Sequence, residues 1–331
     1  MLEHIVHILP YELKSIVYQL SQDIKDSLEE IRIRENRPLE ISHRGSFHYV
    51  TEQGGAVHDS RQAYHPTQEQ CRKLLERITN YSLYAMEEEL RRGYITIAGG
   101  HRIGIAGRTI LEGGIVRGIR DIGGFNIRIA REVVGASKQL LPKLFGGPAG
   151  SLQSTLIISP PQQGKTTILR DLARAISYGE ARKPAMKVAI VDERSEIAAC
   201  VKGIPSFDVG PRTDVMDACP KAEGMMMLLR SMSPEVIIVD EIGRVEDAVA
   251  IREAAHCGVK VIATAHAFNV EEVLGRSEIK SLIAEKAFSS IVELKRNEQG
   301  FMHRIISVER LLEPNKQGSG FFSLSRKSGT L

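Results

Sequence analysis

Residues 156–176 read LIISPPQQGKTTILRDLARAI, and this stretch decides the fold. The apolar run at 156–158 predicts a buried strand, and the helical spacing of the apolar residues over 168–176 predicts a helix. The turn between them contains GKTT at 164–167. In this order of strand, loop and helix, backbone N–H groups and the helix N-terminus converge on an anion. The stretch therefore predicts a phosphate-binding loop.

The loop offers the groups that a nucleoside triphosphate needs. Lys165 is expected to be exposed and to reach the β/γ-phosphates, and the Thr166 hydroxyl is expected to be a ligand of Mg²⁺. The usual pattern begins with glycine where this chain has Ser159, which is compatible if the backbone there avoids conformations that only glycine tolerates. The alternative is a chance GKTT at the start of an ordinary helix. The residues expected to bind the nucleotide are Ser159, Pro160, Pro161, Gln162, Gln163, Gly164, Lys165, Thr166 and Thr167.

Length and composition are those of a globular protein. At 331 residues the chain is long enough for two domains with separate cores. No apolar run approaches the ~20 residues of a membrane-spanning helix, and residues 1–14 lack the pattern of a signal peptide. A cytoplasmic protein is expected, with any membrane contact made through partners. The four cysteines show no metal-site spacing and are expected to be structural thiols.

Residues 1–145 are predicted to form the smaller, α+β domain. Apolar spacing predicts a helix over 10–22, and an alternating segment with a turn at 36–38 predicts a hairpin. Thr67 and Gln70 form the sequence pattern of a capping box, which predicts a helix that ends near residue 78.

The end of this domain is rich in arginine. Between Arg91 and Arg131 there are eight arginines, no lysine, one Asp and one Glu, a charge of +6 in a chain whose net charge is +3. Glycine pairs at 99–100, 113–114 and 123–124 separate short alternating runs, which predicts a curled antiparallel sheet with tight turns. Arginine without lysine favours bidentate contacts with phosphate or carboxylate over a diffuse polycation.

Beyond a Gly- and Pro-containing linker at 146–153, the pattern changes to alternating strands and helices. The predicted strands are nearly all apolar, as in a parallel sheet covered on both faces. An α/β domain over 154–312 is therefore expected, followed by a tail at 313–331. Strands are predicted at 155–158, 187–192, 235–240 and 259–264, helices at 164–178, 220–232 (with Pro220 as first residue) and 245–257, and a final hairpin at 286–295 and 301–311.

Candidate catalytic residues follow the predicted strands, because ligands of an open α/β sheet bind at the carboxyl ends of its strands. Asp240 ends one strand and is expected to hold Mg²⁺ directly or through water, and Glu241 is expected to orient or deprotonate the attacking water. Glu193 and Glu196, after a neighbouring strand, add to this site or form surface salt bridges. Thr264 and His266, after a strand expected to lie between the two motif strands, suit a sensor of the γ-phosphate, although a lone histidine is often structural.

The segment VIIVDEIGRVEDAVAIREAAHCGVKVIATAHA at 236–267 resembles the second nucleotide motif and the histidine box of the ATPases of type II, type IV and pilus secretion systems. These usually have glycine where this chain has Asp240, and His266 is the histidine that matches. Residues 192–196 are similar to their acidic box, and residues 126–132 to the arginine-bearing segment before their phosphate loop. Over the whole chain, the sequence resembles stage III sporulation proteins of endospore-forming bacteria.

The predicted protein is an α/β P-loop NTPase with a RecA-like C-terminal domain that hydrolyses ATP with Mg²⁺. The resemblance implies a ring, expected to be a homo-hexamer, that acts with inner-membrane channel proteins from the mother-cell cytoplasm to power a channel to the forespore. Two alternatives remain. The +6 segment could serve a nucleic-acid motor, although Tyr94 and Phe125 are few aromatics for base stacking. A non-hydrolysing adaptor is disfavoured because Glu241 and His266 are both present.

Arg128 and Arg131 are further candidate catalytic residues. The alternation over 126–131 turns both away from the isoleucines that are expected to be buried. They are predicted to act in trans, reaching the γ-phosphate held by a neighbouring subunit. The alternative is that they belong to a solvated strand face.

Overall fold

The structure is a computed structural model that describes residues 2–80, 82, 86–130, 132–146, 150–161, 163–297 and 300–313. Two predicted site residues, Arg131 and Gln162, lie outside the described residues, as do 147–149 of the predicted linker and nearly all of the predicted tail.

The N-terminal part contains short helices and a mainly antiparallel sheet. Its elements in chain order are α1 (Glu3–Ile8), α2 (Tyr11–Gln19), α3 (Gln22–Ser27), β1 (Leu28–Arg34), β2 (Glu40–His43), β3 (Ser46–Val50), β4 (Ala56–Val57), a 3-10 turn (Ser60–Gln62), α4 (Gln68–Ile78), α5 (Glu87–Arg92), β5 (Tyr94–Ile97), β6 (His101–Glu112), β7 (Ile115–Arg128) and α6 (Leu141–Leu144). Thr67 and Gln70 form the predicted capping box at the start of α4.

The seven strands of this first sheet are arranged in the order β4-β3-β2-β1-β7-β6-β5. Helices α1, α2 and α4 pack on it through a common core whose residues include Ile5, Leu13, Ile31, Leu74 and Ile127. The alternation predicted for 126–131 is confirmed at Ile127, which is fully buried, and at Arg128, whose side chain is 57% exposed, whereas Ile129 is only partly buried.

Strand β7 joins two of the predicted short runs, and it pairs with β6 along a ribbon that extends beyond their pairings with β1 and β5. The pairs at 99–100 and 113–114 are turns, whereas Gly123 and Gly124 lie inside β7, so the predicted turn there is wrong. A Cβ atom on Gly124 would lie 3.2 Å from the Cβ of Ala106 on the paired strand. Because Gly124 has no side chain, β6 and β7 can approach closely here, and the glycine does not mark a turn of the chain.

The C-terminal part contains the predicted strands and helices, together with a strand, β10, and two helices, α10 and α11, that were not predicted. Its elements are β8 (Thr155–Ser159), α7 (Lys165–Tyr178), β9 (Val188–Asp192), β10 (Thr213–Asp217), α8 (Lys221–Ser231), β11 (Val236–Val239), α9 (Val245–His256), β12 (Lys260–His266), α10 (Val270–Leu274), α11 (Ser277–Ala284), β13 (Ser290–Asn297), β14 (Gly300–Ser307) and α12 (Val308–Leu312). Pro220 is the N-cap of α8 instead of its first residue, and 308–311 form helix α12 instead of extending the hairpin.

The second sheet has the order β10-β9-β11-β12-β8-β13-β14. Strands β8 to β12 pair in parallel, and β12 lies between β8 and β11 as predicted. Alternate residues of the central strands enter two separate cores, so that Ile237 packs with α8 and α9 while Ile238 packs with α7. Burial of both faces explains why these strands are nearly all apolar in sequence.

A buried carboxylate holds the segment that leads from the first sheet to the second. Asp171 of α7 accepts hydrogen bonds from the backbone N–H groups of Gly135 (2.9 Å) and Ser137 (2.7 Å) and from the Ser137 hydroxyl (2.6 Å). Arg174 lies 2.9 Å from the same carboxylate. Although burial by itself raises the pKa of Asp171, these donors bring it below its ordinary value. The segment is thereby tied to the helix that starts at the phosphate loop.

Candidate nucleotide site

The predicted phosphate loop connects the end of β8 to the first residue of α7. Gly164 is the N-cap of α7 with φ +84°, a conformation that glycine adopts without strain. A Cβ atom there would clash with the ring of Phe301 on β14, which packs against the loop. Ser159 is not among the residues with positive φ, so the substitution of the usual first glycine is accommodated as expected.

Lys165 is buried, with 7% of its surface exposed, which contradicts the expectation of an exposed lysine. Its ammonium donates to the carbonyl oxygens of Ser159 (3.0 Å) and Pro160 (3.0 Å) and to the Ser159 hydroxyl (3.1 Å). Burial lowers the pKa of Lys165, and the nearby Glu241 carboxylate opposes this effect. The side chain occupies the loop itself, where phosphate oxygens would replace these acceptors.

A chain of contacts joins Lys165 to the predicted catalytic glutamate. The ammonium lies 3.0 Å from Nδ1 of His266, and Nε2 of His266 lies 2.8 Å from Oε1 of Glu241. Because an ammonium can only donate, Nδ1 is the acceptor and Nε2 carries the proton that it donates to Glu241. The structure thus brings together the three predicted residues from β8–α7, β12 and the end of β11.

Thr264 influences the Lys165–His266–Glu241 contacts through a hydrogen bond with the backbone of Glu241. Its hydroxyl accepts a hydrogen bond of 2.9 Å from the N–H of Glu241, whose φ is +42°. Left-handed backbone at a residue other than glycine is costly and persists when its surroundings hold it. Thr264 therefore helps to fix the direction in which the Glu241 side chain leaves the strand.

Asp240 suits the metal role predicted for it. Its side chain is buried, and Oδ1 has no hydrogen-bond partner among the described residues. Burial, together with the neighbouring carboxylates Asp192, Glu241 and Glu196, raises the pKa of Asp240 to about 7. A bound cation would satisfy this oxygen. In the part of the chain that is described, no group of three His, Cys, Asp or Glu side chains could hold a metal, but Mg²⁺ commonly takes one or two protein oxygens plus phosphate and water.

The carboxylates at 192–196 are held by other groups. Asp192 is fully buried and accepts from the N–H groups of Glu196 (2.8 Å), Ile197 (2.9 Å) and Ala198 (2.9 Å), which shapes the loop. Glu193 pairs with Lys221 of α8.

Glu196 instead joins the two sheets. Its carboxylate pairs with Arg102 of β6, whose guanidinium stacks 3.4 Å from the ring centre of Tyr94. Arg170 of α7 donates to the carbonyl oxygens of Glu196 (2.7 Å) and Ile197 (2.6 Å). Burial lowers the pKa of Arg170 to about 10. The phosphate-loop helix, the acidic loop and the first sheet are therefore mechanically connected.

Arg128 borders a cavity of about 310 Å³ that is also lined by Thr166 and Thr167 of the same chain. Its side chain is 57% exposed, and its Nε lies 3.4 Å from Glu30. The structure thus places Arg128 on the solvent side of the first sheet, facing its own phosphate loop.

Sequence reasoning missed two arginines at this site. Arg194 lies 2.9 Å from Oε2 of Glu241, and Arg170 holds the acidic loop. Arg194 stands among the acids of the 192–196 motif, and this position was the available signal. Arg194 meets Glu241 because β9 pairs with β11, and these strands are distant in sequence. The spacing of residues along the chain therefore did not reveal this contact.

Comparison with solved structures identifies the fold. The ATPase DotB of Legionella pneumophila aligns over 93% of this chain and 86% of its own, with a TM-score of 0.56 and 16% identity. The pilus retraction motor PilT with bound ADP aligns over 86% and 81%, with a TM-score of 0.54 and 14% identity. The predicted α/β fold is confirmed, because both of these solved structures share it. No described helix has both the length and the apolarity to cross a membrane.

One sequence relative and a family model identify the family of this chain. Stage III sporulation protein AA of Bacillus subtilis (strain 168) is 49% identical over 295 residues, which are 89% of this chain and 91% of that protein. The family model described as sporulation stage III, protein AA, matches residues 1–310. This chain belongs to the sporulation stage III, protein AA, family.

Proposed function

We propose that this chain binds and hydrolyses ATP with Mg²⁺, as one subunit of a homo-hexameric ring. The observation that carries the proposal is the contact chain Lys165–His266–Glu241 at the carboxyl ends of adjacent parallel strands. It joins a phosphate-binding cation to a carboxylate that can orient water, which is what hydrolysis of a phosphoanhydride needs. The relationship to DotB, an ATPase, and to PilT, a motor with bound ADP, supports the same activity.

Each residue of the site has a distinct task in this proposal. Lys165 exchanges its contacts with Ser159 and Pro160 for oxygens of the β/γ-phosphates. His266 holds Glu241 by its Nε2 proton, and Glu241 orients the attacking water and accepts its proton. Thr166 and Asp240 would hold Mg²⁺, which neutralises charge on the phosphates when bound. Glu193 and Glu196 maintain the surrounding loop through Lys221 and Arg102.

In the cell, we propose that the ring acts from the mother-cell cytoplasm. There it would contact the membrane through inner-membrane channel proteins and power a channel between mother cell and forespore. Membership of a sporulation family supports this setting.

The decisive experiment sizes the purified protein with and without ATP while its turnover is measured. ATP-dependent assembly together with phosphate release supports the proposal. Lys165→Ala should remove measurable ATP binding by calorimetry, because the charge that neutralises the phosphates is lost. Unchanged ATP affinity in that variant, or an assembled wild-type ring without turnover, would contradict the proposal; the second result would favour a non-hydrolysing adaptor.

A nucleic-acid motor is the second candidate, and the exposed arginines of the β6–β7 ribbon favour it. Arg117 and Arg120 are 53% and 54% exposed, and Arg108 is paired opposite Arg120. Such a surface could contact a phosphate backbone. Salt-dependent binding of DNA or RNA, lost in Arg108→Glu, would support this function, whereas no binding at low salt would exclude it.

A further inference from the structure

Both oxygens of the Glu241 carboxylate have a partner. Oε1 lies 2.8 Å from Nε2 of His266, and Oε2 lies 2.9 Å from Nη1 of Arg194. The two donors come from different parts of the fold: His266 lies on β12, and Arg194 lies in the loop after β9. A carboxylate bonded at one oxygen can still turn about its last side-chain bond, whereas donors at both oxygens fix its plane.

The loop that carries Arg194 is itself held firmly. Asp192 at its base accepts three backbone hydrogen bonds, and Ser195 has a φ of +53° and donates to Asp217 at 2.7 Å. Glu193 pairs with Lys221 and Glu196 with Arg102. Glu193 and Glu196 are thus directed to other basic partners, and it is Arg194 of this loop that contacts Glu241.

We propose that Arg194 is a positioning residue of the hydrolysis reaction and acts through Glu241. The inference rests on the proposed function. General-base chemistry requires the carboxylate to lie within hydrogen-bond reach of water in a fixed direction, and small displacements cost rate. With Oε1 bonded to His266 and Oε2 to Arg194, the plane of the carboxylate is fixed, and its remaining lone pairs can accept from the attacking water in one direction.

Arg194 is 53% exposed, so its guanidinium could alternatively contact the nucleotide itself. The two roles differ in one measurable respect. A residue that acts through Glu241 loses its effect once Glu241 can no longer serve as base, whereas a residue that binds phosphate keeps its effect in any background.

A double-mutant cycle of Arg194→Ala and Glu241→Gln separates these roles. Arg194→Ala alone should lower kcat by about 10-fold or more with a KM for ATP within about twofold of wild type, since ground-state contacts are unchanged. In the Glu241→Gln background the same substitution should cost less than about twofold. Arg194→Lys should recover part of the loss, because a single cationic donor can still reach Oε2. Arg61→Ala is the control, since this arginine of the N-terminal part is 87% exposed, pairs with Asp59 at 2.8 Å, and should leave kcat unchanged.

Equal losses in both backgrounds, or a raised KM with unchanged kcat, would overturn the positioning role and assign Arg194 to the nucleotide. Either result leaves the ATPase proposal intact, because both are measured against a wild-type protein that hydrolyses ATP. A wild type that binds ATP without turnover would overturn the proposed function, and the role of Arg194 with it.

Discussion

Lys165 and His266 are in direct contact, with the ammonium 3.0 Å from Nδ1 of the imidazole. The contact sets the tautomer of His266 and hence the donor that faces Glu241. Nucleotide binding would draw Lys165 toward phosphate and so change the hydrogen bonding of His266. The lysine proposed to bind phosphate and the carboxylate proposed to act as base are therefore coupled through one ring.

Replacement of Glu241 by glutamine should separate binding from catalysis. The neutral amide cannot accept a proton from water, while Lys165 and the phosphate loop are unchanged. Turnover should fall by about 10²-fold or more at nearly unchanged affinity for ATP with Mg²⁺. Steady-state kinetics and calorimetry measure the two quantities, with Glu285→Gln on the surface as control. Wild-type turnover in Glu241→Gln would transfer the role of base to another carboxylate.

His266→Ala tests the coupling itself. The variant leaves Lys165 with its oxygen acceptors and Glu241 with Arg194, so the nucleotide can still bind. Turnover is expected to fall by about 10-fold or more, while ATP affinity changes by only a few-fold. The matched control is His256→Ala at the exposed end of α9. If His266→Ala bound ATP much more weakly but kept its turnover at saturating ATP, the histidine would serve the phosphate loop alone.

Because Asp171 holds Gly135 and Ser137 against α7 through its carboxylate, we expect the attachment of the segment 132–146 to α7 to be sensitive to acid. Asp171→Ala should lower the free energy of unfolding by about 2–4 kcal/mol, because Gly135, Ser137 and Arg174 lose a buried charged acceptor. The pKa of Asp171 is lowered on folding, so its contribution is present above the unfolded value of about 4 and is lost as pH falls through the folded value.

Denaturant unfolding at several pH values measures this effect. The stability difference between wild type and Asp171→Ala should be constant near neutral pH and shrink as the solution becomes more acidic than about pH 4. Glu253→Ala, an exposed acid on α9, should show neither the loss nor its pH dependence. A difference that stayed constant into acid would mean that packing, not charge, accounts for the loss.

The local sequence pattern was sufficient to predict the phosphate loop, the central strands and the residues at the strand ends. The order of strand, loop and helix marks the phosphate loop, and parallel pairing brings the strand ends together. The contacts that distinguish individual acids were not predictable. Glu193 and Glu196 meet Lys221 and Arg102 only after the chain folds, and the second of these pairs joins the two sheets. Lys165 is buried because Ser159, Pro160 and His266 surround it, which a motif cannot express.

Arg128 is predicted to complete the site of a neighbouring subunit. Its guanidinium lies 3.4 Å from Glu30, but the side chain is 57% exposed, so it can leave this surface ion pair to reach another copy. Arginine stabilises charge on transferring phosphoryl oxygens, an effect of about 10³-fold or more where known. The cavity that it shares with Thr166 and Thr167 offers the opposite possibility, a contact within one chain. Arg128→Ala should lower turnover strongly in either case, and full turnover in this variant would end the hypothesis.

Mixed rings distinguish the two arrangements. Arg128→Ala subunits keep Glu241, and Glu241→Gln subunits keep Arg128, so a site is complete in a mixture only if the two residues come from different subunits. Random mixing of equal amounts completes about a quarter of the interfaces, and turnover should reappear on subunit exchange if interfaces work independently. A mixture of wild type and Glu241→Gln, followed over the same period, shows that exchange occurs and how far inactive subunits inhibit active ones. With exchange shown and inhibition small, a mixture of the two variants that stays inactive would place Arg128 at the phosphate loop of its own chain.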